Sequence, residues 1–135
     1  MAYQIGAVPY APDPPGAFKI NGISEILYLK NDKLLVMERS FSTGRKPCSI
    51  KLFLADIGKA SDVGGLPSLD HTSGWYAVKK TLLLDLDTLG IYTDNIEGIC
   101  LGPRLNGRQT LVLVSDNNFS GGQVTQLLLF VLNAK

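Results

Sequence analysis

The chain has only three glutamates, Glu25, Glu38 and Glu97, and each sits at the edge of a short apolar run. Asp116 closes a further run and is followed by Asn117 and Asn118, while Asn95 stands two residues before Glu97. Carboxylates and amide oxygens are what a hard cation takes, Ca²⁺ accepting about six to eight of them. Glu25, Glu38, Glu97, Asp116 and Asn117 are therefore the candidate metal ligands. Such an ion would polarise a phosphate or ester and activate water. Arg39, next to Glu38, is the best candidate to hold an anionic oxygen in a two-pronged grip. Asn95 and Asn118 join it as candidate substrate contacts, and Glu97, Glu25 and Arg39 are the candidate catalytic groups. A plainer reading uses the same residues. Glu25 and Glu97 then accept backbone N–H bonds and pair with Arg39, and Asp-Asn-Asn is ordinary turn chemistry.

Other chemistries lack their residues. The Asp116 segment has neither the alternation nor the closing Glu of an EF-hand loop. No Cys-x-x-Cys or Cys/His cluster suggests zinc. The single histidine, His71, lies in a loop rich in Gly, Ser and Asp, and no Gly-x-Ser-x-Gly elbow accompanies it. Gly64-Gly65 and Gly121-Gly122 lack the strand-to-helix setting of a nucleotide loop. Arg104 and Arg108 flank Asn106-Gly107 and belong to a hairpin tip. Cys100, inside an apolar run, reads as a buried free thiol, and Cys48 lies in a polar loop. A formal net charge of +1 gives no footprint for nucleic acid or an anionic membrane. The longest apolar runs, such as Leu127 to Leu132, are too short to cross a bilayer as a helix, and the start of the chain has no basic or continuous apolar segment of a signal peptide.

The elements that must position these groups are strands. Apolar runs cover Ile23 to Leu29, Leu34 to Glu38, Ile50 to Ile57, Ala77 to Leu86, Ile96 to Leu101, Thr110 to Ser115 and Thr125 to Leu132. Turn residues bound them: Asn31-Asp32, Asn106-Gly107 and Gly121-Gly122. Lys79 to Leu89 is the one helical candidate, yet Leu84-Asp85-Leu86-Asp87 alternates as a strand end does. The chain is thus all-β. Glu25 and Glu97, 72 residues apart, open what read as two equivalent units, and a carboxylate marks each. Runs such as Leu111-Val112-Leu113-Val114 are apolar at every position, so both faces of the sheet should be covered. That pattern fits β-propeller blades, about two four-stranded antiparallel ones, within a larger six-bladed ring or one completed by oligomerisation. Residues 1–20 form an extended lead-in, 21–90 a first blade unit and 91–135 a second, incomplete one. The long polar segment from Gly58 to Tyr76 is a surface loop that could also serve a partner. Only 19% of residues are charged, below the average for a soluble domain, which suggests extra apolar surface to be covered.

Asn95-Ile96-Glu97-Gly98-Ile99 and Val114-Ser115-Asp116-Asn117-Asn118-Phe119 resemble the phytase-like propeller family, described by the esterase-like activity of phytase. Asn21-Gly22-Ile23-Ser24-Glu25-Ile26, Leu35-Val36-Met37-Glu38-Arg39-Ser40 and Gln123-Val124-Thr125-Gln126 extend the resemblance over about Gly22 to Leu132. It implies a C-terminal portion of a longer propeller, with further blades on the N-terminal side and relatives that are exported. It also implies a hydrolase acting on phosphate or carboxylic esters with a divalent cation, Ca²⁺. The alternative is a propeller that binds a ligand or protein without catalysis, or a fragment without activity of its own.

Overall fold

The computed structural model describes residues 1–45 and 47–133. Seven strands form where the apolar runs lie, and no α-helix is present among the described residues. β1 (Lys19–Tyr28), β2 (Lys33–Ser42), β3 (Ser49–Asp56) and β4 (Lys79–Asp85) make one antiparallel sheet in chain order. β5 (Ile96–Leu105), β6 (Arg108–Ser115) and β7 (Gln126–Val131) make a second of three strands. Both sheets are open. Leu84 and Asp85 end β4, while Leu86 and Asp87, read as part of the same strand end, open a one-turn 3₁₀ helix (Leu86–Leu89), with Asp85 capping its start and Gly90 in the left-handed conformation closing it.

Turn chemistry sets the hairpins. Asn31 and Asp32 (φ 51° and 56°) join β1 to β2, and Asn106-Gly107 (φ 50° and 79°) joins β5 to β6. Both are the left-handed pairs whose twist suits a two-residue hairpin. Each sheet carries a bulge in its first strand, where the pairing skips Ser24 in β1 and Glu97 in β5. Counted from these bulges, Ile23 corresponds to Ile96 and Ser24 to Glu97. Glu25 corresponds to Gly98. The true offset is one residue longer than the spacing between the two glutamates, because Glu97 is the bulged residue of β5 while Glu25 is the paired residue after the bulge of β1.

The sheets pack face to face. Leu35, Met37, Ile50 and Leu52 of the first meet Ile96, Ile99, Leu111 and Leu113 of the second around the fully buried Leu86. Each such side chain contributes about 1.5–3 kcal/mol by leaving water, so this layer dominates stability. On the far face of the first sheet Val36, Ala55 and Val78 form a smaller cluster under Tyr3. The lead-in lies over it, with Ala2 O accepting from Val78 N and Tyr10 O from Ser42 Oγ.

The far face of the second sheet is left uncovered by the chain itself. Leu127 and Leu129 are 74% and 54% exposed, and Val114 and Val131 are exposed beside them. Cys100 lies here too and is exposed, not buried; both cysteines are free. The reason is parity: Ile99 faces the first sheet, so its neighbour Cys100 faces away.

Candidate functional site

β2 sends successive side chains to opposite faces. Met37 enters the layer between the sheets and Val36 the outer cluster, so Arg39 points toward the second sheet and Glu38 away from it. Arg39 reaches across to the start of β5. Its Nη1 donates to Asn95 Oδ1 and, at 3.0 Å, to Glu97 Oε1. Asn95 Nδ2 donates to the same Glu97 oxygen. The bulge at Glu97 turns this carboxylate out of the alternation of β5 and onto the arginine.

Asp94 fixes the position of Asn95. It is buried, accepts from Asn95 N at 2.7 Å and Val124 N at 2.6 Å, and takes a third bond from Tyr92 Oη. Gln126 completes the hold, accepting from Asp94 N through Oε1. Burial, with Asp94 adding to it, pushes the Tyr92 phenol up, so the hydroxyl stays a donor.

Arg39 and Asn95 line a cavity of about 210 Å³ at this end of the sheets, with Ser24, Arg45, Cys48 and Gln123 among its other walls. Burial pushes the Cys48 thiol up in spite of nearby Arg39, so it is protonated at neutral pH and a poor nucleophile. Ser24 Oγ is buried and has no hydrogen-bond partner among the described residues.

Of the residues read from sequence, the fold brings Arg39, Asn95 and Glu97 together. Glu38 stands on the other face of the sheet, 3% exposed. It accepts from Tyr3 Oη (2.8 Å) and Lys80 Nζ on one oxygen, and from Gly6 N (3.0 Å) and Asn21 Nδ2 (2.9 Å) on the other. Burial pushes its carboxyl up, but Lys80, Tyr3, Asn21 and Gly6 together outweigh that and hold it below the usual glutamate range. Glu25 accepts from Ile26 N. Asp116 is exposed, Asn117 Oδ1 accepts from Phe119 N and Asn118 Nδ2 donates to Gln123. Of the plainer reading, Glu25 takes a backbone N–H and Glu97 pairs with Arg39, while Glu97 takes its other bond from the Asn95 side chain. Among the described residues no three His, Cys, Asp or Glu side chains gather as a metal site. Both Glu38 oxygens are filled by protein donors.

Sequence reasoning left out Asp94 and Ser24 as site residues. An Asp-Asn pair ahead of a strand is the signal for Asp94, because short polar side chains bond the next backbone N–H groups. For Ser24 there is none, since a bulge depends on pairing between strands.

Arg39 and Glu97 have side chains 30% and 44% exposed. A pair this wet is worth about 0–1 kcal/mol. Arg39 can therefore turn from Glu97 to an incoming anion at small cost, and the released carboxylate can take a proton from water. The family model described as "Phytase-like: Esterase-like activity of phytase" matches residues 1–119. No curated protein and no solved structure matches the chain.

Proposed function

The chain belongs to the phytase-like family, and from that premise we propose that it is a hydrolase acting on phosphate or carboxylic esters at the cavity beside Arg39. Arg39 holds the anionic oxygen of the substrate, Asn95 donates to it, and Glu97 serves as the acid–base group for the attacking water. The observation that carries this reading is the reach of Arg39 from one sheet to Asn95 and Glu97 of the other, at the cavity wall. General acid–base groups contribute about 10²–10⁴ in rate. Arg39→Ala and Glu97→Gln are each expected to lower kcat/KM at least about 100-fold on p-nitrophenyl phosphate or p-nitrophenyl acetate. Full activity in both variants overturns the assignment. Phosphate binding without turnover of either ester in the unaltered chain would favour a non-catalytic binding role. Added Ca²⁺ is expected to leave the melting temperature within about 1 °C, since a ligand stabilises only through a site in the folded state. A rise of several degrees returns Glu25, Glu97, Asp116 and Asn117 to the ligand set.

The same reading treats the two sheets as blades of a propeller-like stack. Counted from the bulges, Leu35 and Met37 of β2 correspond to Val112 and Val114 of β6. The first pair covers the second sheet. Val112 and Val114 therefore lie where a following sheet, or a second copy of the chain, would pack.

A further inference from the structure

The far face of the second sheet is laid out in rows by the strand pairing. Across β5, β6 and β7 the rows read Gly98, Val114, Leu127, then Cys100, Val112, Leu129, then Gly102, Thr110, Val131. None of these residues is charged, and the one hydroxyl, of Thr110, is spent on Pro103 O. The relief is uneven. β7 raises Leu127, Leu129 and Val131, all exposed, as a ridge along one side. β5 contributes two glycines and the exposed Cys100, a trough along the other. A Cβ on Gly98 would come 2.7 Å from Val114 Cγ1, so close packing within the sheet keeps the trough low. A surface with a ridge and a matching trough is self-complementary, as a contact between two copies about a two-fold axis requires.

Two arrangements of a second copy on this face compare unequally. Head-to-tail stacking would set it on the far face of the other copy's first sheet, under the lead-in. There Glu38 accepts from Tyr3 Oη and Gly6 N of the lead-in. Lifting the lead-in would take two donors from that carboxylate and press it against a face with none to give, which is costly. Face-to-face packing breaks no such bond. With the two-fold axis between the faces and along β6, β7 of each copy lies over β5 of the other. Leu129 then meets the other copy's Cys100, and Leu127 its Gly98.

We propose that the far face of the second sheet is the interface of a two-fold dimer of this chain, the β7 ridge of each copy seated in the β5 trough of the other. The dimer stands independently of the hydrolase reading and makes a second copy, not a following sheet, the occupant of this face. Such a contact closes on itself and does not propagate. Three strands make an interface at the small end of specific ones, so the expected dissociation constant is about 1–100 μM.

The test is sedimentation equilibrium under reductant on the unaltered chain, Leu129→Ala, Cys100→Leu and the double variant. Labelling of Cys100 by N-ethylmaleimide, resolved from Cys48 by peptide mass, is followed alongside in the unaltered chain. A monomer–dimer equilibrium is expected. At a chain concentration ten times the dissociation constant, labelling of Cys100 should slow about fivefold, the monomer being then about a fifth of the chain by mass action. Leu129→Ala empties the ridge and Cys100→Leu fills the trough, so each is expected to weaken the dimer about tenfold or more. The double variant moves the bulk from one side of the contact to the other and should return to within about threefold of the unaltered chain, since touching residues couple. A monomer at every concentration overturns the proposal and leaves the face to a partner of other sequence. Trimers or open-ended assemblies overturn it in favour of head-to-tail stacking, and so does a double variant as weak as the two single losses combined. Labelling of Cys100 that ignores concentration also overturns it, and this measurement on the unaltered chain decides even where a variant fails to fold. Ester turnover is scored separately, so either reading can fail without the other.

Discussion

At the scale of single residues, Glu38 shows how neighbours in sequence are divided by a strand. Glu38 and Arg39 read as one acidic and basic pair, yet the alternation of β2 puts them on opposite faces. Arg39 faces the cavity. Glu38 anchors the lead-in through Tyr3 and Gly6 and pairs with Lys80 of β4. Removing one partner of a buried pair costs about 3–5 kcal/mol. Lys80 keeps some contact with water, its side chain being 23% exposed, so Glu38→Ala is expected near the lower end, about 3 kcal/mol by urea unfolding. The pH dependence follows from the lowered carboxyl. Its stabilisation is fully present above the unfolded value of 4.5 and is lost as pH falls from there through the folded value. The stability gap between the unaltered chain and Glu38→Gln should therefore hold near pH 7 and narrow below about pH 4.5. A gap that stays constant down to pH 3 would show that hydrogen bonding without charge suffices.

At the scale of elements, strand positions were legible because β-branched and leucine-rich runs ended in Asn, Asp and Gly with definite turn roles. All seven expected strands form, within a few residues of the runs. The bulges were not legible. A bulge is a property of two strands in register, and it decides whether Ser24 or Glu25 corresponds to Glu97. The site was legible in the same proportion. Arg39, Asn95 and Glu97 were named from their chemistry and meet. Asn117 and Asn118 carry similar chemistry but bond within their own loop, and Asp116 lies exposed. One glycine tests the close packing of β5 on β6. A Cβ on Gly102 would come 2.5 Å from Thr110 Oγ1 and 2.9 Å from Val112 Cγ2. Thr110 is fully buried and held by its bond to Pro103 O, so it cannot yield cheaply. Gly102→Ala is expected to cost about 1–3 kcal/mol, as overpacking does, with activity per folded molecule unchanged.

At the scale of the whole molecule, the two faces that flank the sheet pair are treated differently. The first sheet has a roof, the lead-in, while the second sheet leaves Leu127 and Leu129 in water. Sequence patterning told that both faces were apolar, but no pattern within a strand says which face a distant segment reaches. Sedimentation velocity should find the chain self-associating, and Leu127→Lys with Leu129→Lys should return it to monomer with an unchanged far-ultraviolet spectrum. A monomeric unaltered chain would remove the second copy as the occupant of that face. The roof also has a consequence for the chain as it is made. Tyr10 bonds to Asp87, and Tyr3 and Gly6 bond to a carboxylate that is paired with Lys80. At about 5–20 residues per second, the lead-in leaves the ribosome roughly 4–15 s before its last anchors do. For that interval it is held through Glu38 and Ser42 of β2 without those last anchors, and the newborn first sheet keeps an apolar side that a holding chaperone can grip.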